Sequence, residues 1–211
     1  MTYALLATAY LIGSIPTSYV IGKTFHGIDL REHGSGNLGA TNAFRILGVK
    51  WAVPVVILDV AKGFVPVWLF ASLAGVGFGW TLAFGAAAIV GHMFSVFVGF
   101  KGGKGMATSA GVFLGLAPWA VLGSLIVWCA LTFSTGYVSL GSIVAAVAMP
   151  LLVVFTPHAG GNALLWFATG LAVVVVWAHR GNIGRLARGE ENRFGRRGRS
   201  AEAAPGAGGD A

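Results

Sequence analysis

Apolar runs recur along the chain with short polar stretches between them, filling roughly 2–22, 52–74, 79–98, 105–117, 119–134, 138–156 and 163–179. Long apolar runs with few charges predict helices that cross a bilayer, whose core takes about 20 residues. The region 105–134 decides how many. As a single helix its roughly thirty residues would overshoot that length and place Pro118 in the interior, where the missing N–H and the ring break a helix. Two short helices divided at Pro118 are predicted instead. The pattern therefore reads as an all-α polytopic membrane protein with seven transmembrane helices. It forms one domain over 1–192, followed by a basic and then Ala- and Gly-rich tail at 193–211 whose composition predicts disorder. No internal repeat is visible.

Composition agrees with a membrane chain. Hydrophobic residues make up 56% and charged residues 10% of the 211, with a mean hydropathy of +0.79, which leaves too little polar surface to cover a soluble globule. The N-terminal run lacks a basic leader and passes through Ser14, Pro16 and Ser18, so Met1 to about Gly22 is expected to stay as the first span. The lone Cys129 lies in an apolar run and reads as a small buried residue.

Charge sets the orientation. Of the fourteen Lys and Arg, all but Lys62 fall in 23–51, 99–104, 135–137 and 180–211, which seven spans place on one side. By the positive-inside rule that side is cytoplasmic, with the N-terminus outside and the C-terminus inside. Seven of those fourteen lie between Arg180 and Arg199, where a membrane-flanking tail meets anionic lipid rather than nucleic acid.

Three polar constellations sit on that face. The stretch from Gly91 to Thr108 runs from a span into a glycine-rich loop with Lys101 and Lys104, where Gly102, Gly103 and Gly105 allow close backbone approach to a ligand. From Met106 a helix can begin, offering free N–H groups to an anion. The spacing departs from a nucleotide P-loop, with Val98 and Gly105 at the positions that a Gly and a Ser or Thr would fill. Phosphate is predicted, and ATP is not. The first cytoplasmic loop carries a second anion nest, Gly34-Ser-Gly-Asn-Leu-Gly-Ala-Thr-Asn42, in which Ser35, Asn37, Thr41 and Asn42 donate without bulk and Arg45 can bind phosphate bidentately. At the end of the last span His179 and Asn182, three apart, suit the binding of a hydroxyl or the orienting of a base. Glu190 is expected to pair with a neighbouring arginine.

Inside the membrane, Asp59 and Lys62 form an i, i+3 pair, which reads either as a structural ion pair or as a group that meets substrate. Ser139 and Ser142 enter a span three apart, and Ser142 is taken as a substrate contact.

These motifs have a collective likeness. Gly13-Ser-Ile-Pro16, the Gly34–Asn42 nest with Arg45, Gly91-His92 through Phe100-Lys-Gly-Gly-Lys-Gly105, and His179-Arg-Gly-Asn-Ile-Gly-Arg185 with Glu190 together resemble the bacterial acyl-phosphate:glycerol-3-phosphate acyltransferases, over about residues 10 to 191. The resemblance implies transfer of a fatty acyl group from acyl phosphate to the sn-1 hydroxyl of glycerol 3-phosphate, giving lysophosphatidic acid and phosphate, at the bacterial plasma (inner) membrane. It implies no cofactor and no metal. Carried over position by position, Ser35 and Arg45 match the essential pair of the first motif. The glycines around Lys104 match the glycerol-phosphate loop, and His179, Asn182 and Glu190 match the third motif.

Acyl phosphate is already a mixed anhydride, so positioning and charge stabilisation can supply most of the acceleration. The attacking hydroxyl can lose its proton to His179 or to an oxygen of the acyl phosphate. Arg180 beside His179 gives a cationic setting that disfavours a strong base and favours the substrate. An organic-phosphate transporter is the rival reading, since it too needs basic nests and apolar spans, although transporters place their site near the midplane between repeats.

Overall fold

The computed structural model describes residues 1–194, so the expectation for the tail lies almost wholly outside the described residues. Those residues are helical with no strand among them. In order they form α1 (Thr2–Ser14), α2 (Thr17–His26), α3 (Ala40–Leu47) and α4 (Val49–Val65). A π-helical turn at Pro66–Phe70 joins α4 to α5 (Ala71–Ala74), so the two make one continuous rod, and the widened turn falls where Pro66 withholds its N–H. Next come α6 (Phe78–Met93), α7 (Met106–Leu116), α8 (Pro118–Thr135), α9 (Val138–Phe155), α10 (Gly161–Ala178) and α11 (Arg180–Ala187).

Five helical stretches are each long and apolar enough to span: Val49–Ala74, Phe78–Val98, Pro118–Thr135, Val138–Phe155 and Gly161–Ala178. Two of the seven expected spans differ. The first is not one helix, because α1 and α2 meet at 44°. Pro16 is the cause, since it disfavours helical backbone at Ile15, whose ψ is 113°. The segment 105–117 is α7, whose 11 residues rise about 16 Å, well short of a bilayer core. The predicted division at Pro118 is present, with Pro118 opening α8.

The break between α1 and α2 leaves backbone groups that lipid cannot satisfy. The Ile15 carbonyl there accepts from the Thr17 N–H at 3.0 Å and from Lys62 at 2.9 Å, and Lys62 also lies 2.8 Å from Asp59. Asp59 accepts from the Thr17 hydroxyl at 2.5 Å. Of the two readings of this pair, the contacts fit the structural one, which ties the kink to α4. Around it α1 packs on α6 and α4 on α7 through glycines: a Cβ on Gly13 would collide with the Ala88 backbone, and one on Gly63 with that of Thr108. Outward stand Trp68, Phe133, Leu151, Phe155 and Trp166, an apolar surface that only lipid makes sense of.

Candidate active site

At one end of the bundle the three constellations come together. The first depends on Asn42, which is buried on α3. Its Oδ1 accepts from the Ser35 N–H at 2.9 Å, and its Nδ2 donates to the carbonyls of Leu30 and His33 at 3.1 and 3.0 Å. Gly34, at φ +62°, leaves room for that amide. Ser18 ties the same loop to α2 by donating to the Leu38 carbonyl at 2.7 Å. Asn42, expected to bind substrate, thus has its hydrogen bonds taken by the loop and shapes the nest instead. Ser35, Thr41 and Arg45 are exposed, and Asn37 is half-buried.

The glycine-rich loop works differently from the expectation in one respect. Gly102 and Gly103 donate their N–H groups to the carbonyls of Met93 and His92, both at 3.1 Å. A Cβ on Gly102 would strike the His92 carbonyl, and one on Gly103 the His92 ring. These two glycines approach α6, not an open site. The anion-binding capacity lies just beyond, where Gly105 at φ +81° caps α7 and the helix begins at Met106 as expected. Among the described residues no backbone carbonyl takes the N–H groups of residues 104–108. Lys101 points to solvent, whereas Lys104 is half-buried.

Lys104 reaches the third constellation, donating through Nζ to Asn182 Oδ1. The other end of that amide donates to Glu191 Oε1 at 2.6 Å. Glu191 also accepts from Ser139 at 2.8 Å and from Arg185 at 2.7 Å. Burial and the charges of Arg185 and Arg45 draw the Lys104 ammonium down to about 8, opposed by Glu191. Burial pushes the Glu191 carboxyl up, but its bonds from Asn182, Ser139 and Arg185 outweigh this and hold it below the ordinary value. His179 is buried at the junction of α10 and α11, with Nδ1 2.9 Å from the Val175 carbonyl. That contact assigns the ring proton to Nδ1 and leaves Nε2 as an acceptor. Burial and then Lys104 lower its pKa to about 4. Arg180 is not the cation that matters here, since it turns outward over the Trp177 ring at 4.3 Å.

Two other expectations shift. Ser142 takes a hydrogen bond from Trp128 at 3.2 Å between α8 and α9, as a packing contact apart from the cluster. Glu190 pairs with Arg188 at 2.7 Å as expected, but at the surface.

Lys104, Arg45 and Arg185 against Glu191 leave an excess of positive charge beside the N-terminal N–H groups of α7, a setting for phosphate. A sequence model described as Glycerol-3-phosphate acyltransferase matches residues 3–189. The chain belongs to this glycerol-3-phosphate acyltransferase family. Curated members include those of Geobacter sulfurreducens, 46% identical over 90% of this chain and 96% of that protein, and of Trichlorobacter lovleyi, 49% identical over 90% and 95%. The crystal structure of PlsY, an integral membrane glycerol 3-phosphate acyltransferase in its glycerol 3-phosphate form, is 41% identical with a TM-score of 0.84. That match covers 92% of this chain and 96% of that one. Its lysophosphatidic acid form is 40% identical, with a TM-score of 0.82 over 92% of this chain and 95% of that one.

In this acyltransferase the carboxylate inside the cluster is Glu191, which the sequence reading passed over for its neighbour. Gly189, at φ +70°, ends the helical turn there, so helical spacing no longer tells which of two consecutive glutamates faces inward. Ser139, singled out only with Ser142, and Arg185, noted only as the end of the third motif, both bond to that carboxylate. The signal was the Glu190-Glu191 doublet itself.

Proposed function

We propose that the chain transfers an acyl group from acyl phosphate to the sn-1 hydroxyl of glycerol 3-phosphate at the cytoplasmic face of the bacterial plasma membrane. The convergence of Lys104, Asn182, Glu191, His179 and Arg45 at one end of the bundle carries this reading. The phosphates sit against Lys104, Arg45 and the N-terminus of α7. The hydroxyl, oriented by His179 and Asn182, attacks the acyl carbonyl carbon; a C–O bond forms, the bond from carbonyl carbon to phosphate oxygen breaks, and phosphate leaves. The hydroxyl proton passes to an oxygen of the leaving phosphate. With its pKa drawn to about 4, His179 is a weaker base than a phosphate whose second ionisation lies near ~6. It serves as a neutral hydrogen-bond acceptor that places the hydroxyl.

The topology follows from the same convergence. Lys104 meets Asn182, and Phe194 meets Gly136, so the loops before α7, after α8 and after α10 share an end. This supports α7 as the return path of a seventh, shortened crossing, and the basic content of that end supports its cytoplasmic placement. A transport site near the midplane finds no support in a cluster at one end.

Purified protein supplied with acyl phosphate and glycerol 3-phosphate should form lysophosphatidic acid and phosphate in equal amounts. His179→Asn should keep measurable turnover. Phosphate release without lysophosphatidic acid would overturn the acceptor, and complete loss of turnover in folded His179→Asn would overturn the substrate as base.

A further inference from the structure

Glu191 lies in a stretch that no helix holds. Gly189 closes α11, the Glu190 N–H returns to the Arg185 carbonyl at 2.8 Å, and residues 191–193 have no regular structure. A carboxylate there needs an anchor on its far side to stay on Asn182. Three contacts supply one. The Phe194 N–H donates to the Gly136 carbonyl at 2.7 Å, in the turn between α8 and α9. Arg193 lies over the Tyr137 ring at 5.0 Å and donates to its hydroxyl at 3.1 Å. The Phe194 ring stacks on Phe44 with centroids 4.9 Å apart and meets Phe133 edge-on at 6.3 Å.

We propose that Arg193 and Phe194 are positioning residues for the acyl-transfer site: they clasp the chain across the α8–α9 turn and α3, and so fix Glu191 against Asn182 and Ser139. The geometry links parts that would otherwise move separately. The turn that receives Phe194 and Arg193 is followed within two residues by Ser139, which donates to Glu191. Phe44, under the Phe194 ring, is followed on α3 by Arg45. The clasp therefore sets the carboxylate relative to both cationic sides of the site. Aromatic stacking and a backbone hydrogen bond are each modest, but a displacement of about 1 Å at a reacting centre can cost up to ~10²-fold in rate.

The inference rests on the acyl-transfer reading, and the test separates the two. Should the wild type form no lysophosphatidic acid, that reading fails, and the clasp as a device for this reaction is overturned with it. Given an active wild type, kcat/KM for glycerol 3-phosphate is compared among full-length variants. Phe194→Ala and Arg193→Ala should each lose roughly tenfold or more, while Phe194→Tyr, which keeps the stack, should stay within about twofold. Made on a Glu191→Gln background, Phe194→Ala should add less than about twofold, because the clasp acts through that carboxylate. Both side chains are exposed, so the variants should fold. Activity of Phe194→Ala and Arg193→Ala within twofold of wild type would overturn the proposal, as would a full tenfold loss persisting on the Glu191→Gln background.

Discussion

Lys62 and Lys104 each meet a carboxylate through a short network, one within the bundle and the other at its end. The Lys62 ammonium faces Asp59 and the Ile15 carbonyl, and Asp59 in turn faces Thr17. The charges balance inside the helices, where an unmatched one would be costly. Lys104 instead reaches Glu191 only through Asn182 and shares its surroundings with Arg185 and Arg45. Its network carries surplus positive charge and lies beside helix N–H groups that, among the described residues, no backbone carbonyl takes. On the proposed reading the same residue types serve closure in one place and binding in the other, and charge balance tells them apart.

The sharpest way to break that contrast is to remove one partner from each network. Asp59→Asn should strand the buried Lys62 and destabilise the protein by about 3–5 kcal/mol. Thermal unfolding in detergent reads this, and Asp59→Asn with Lys62→Met should recover much of the loss. A neutral single variant would show that the pair does not close the kink. Lys104→Met should leave unfolding nearly unchanged while lowering kcat/KM by roughly 10²–10³-fold, the scale of losing one preorganised donor. If it lost stability and kept activity, the two lysines would have their roles exchanged.

Smaller effects sharpen the site. Glu191→Gln weakens charge-assisted bonds to Arg185 and Asn182 and should cost roughly ten- to a hundredfold in turnover. Glu190→Gln should stay within about twofold, since its pairing with Arg188 is exposed. Equal losses for both would return the inner role to the doublet as a whole. Ser142→Ala should also stay within about twofold, because that hydroxyl meets Trp128 rather than the cluster.

What the chain's pattern alone reveals follows from how local each signal is. Apolar run lengths locate the long helices because a bilayer imposes its thickness on every span. Pro16 was visible too, but whether a proline bends a span or merely sits in it depends on partners far away, here Asp59 and Lys62 on α4. The glycine-rich loop announced a close backbone approach at Gly102 and Gly103 without saying to what, and α6 rather than ligand is what they meet. Helical spacing brought out His179 and Asn182, which share the α10–α11 junction. It failed at Glu191 because a left-handed glycine had already ended the helix. The bond from Lys104 to Asn182 joins residues 78 apart, and no single-sequence pattern states such a pairing.

The central claim is that Lys104, half-buried among Arg185, Arg45 and Glu191, is the cation that takes the substrate phosphate. The most direct test is the pH dependence of wild-type kcat/KM for glycerol 3-phosphate on the alkaline side. Above about 7.5 a phosphate with its second ionisation near ~6 is fully charged, so a limb there belongs to the enzyme. Lys104 has its pKa drawn down from 10.5 to about 8, so it loses its proton, and with it the attraction for phosphate, as pH climbs through that value. The account predicts a fall in kcat/KM centred near pH 8, absent in Lys104→Arg, whose guanidinium stays charged. A wild-type profile flat to about pH 9.5, or a fall that persists unchanged in an active Lys104→Arg variant, would contradict it.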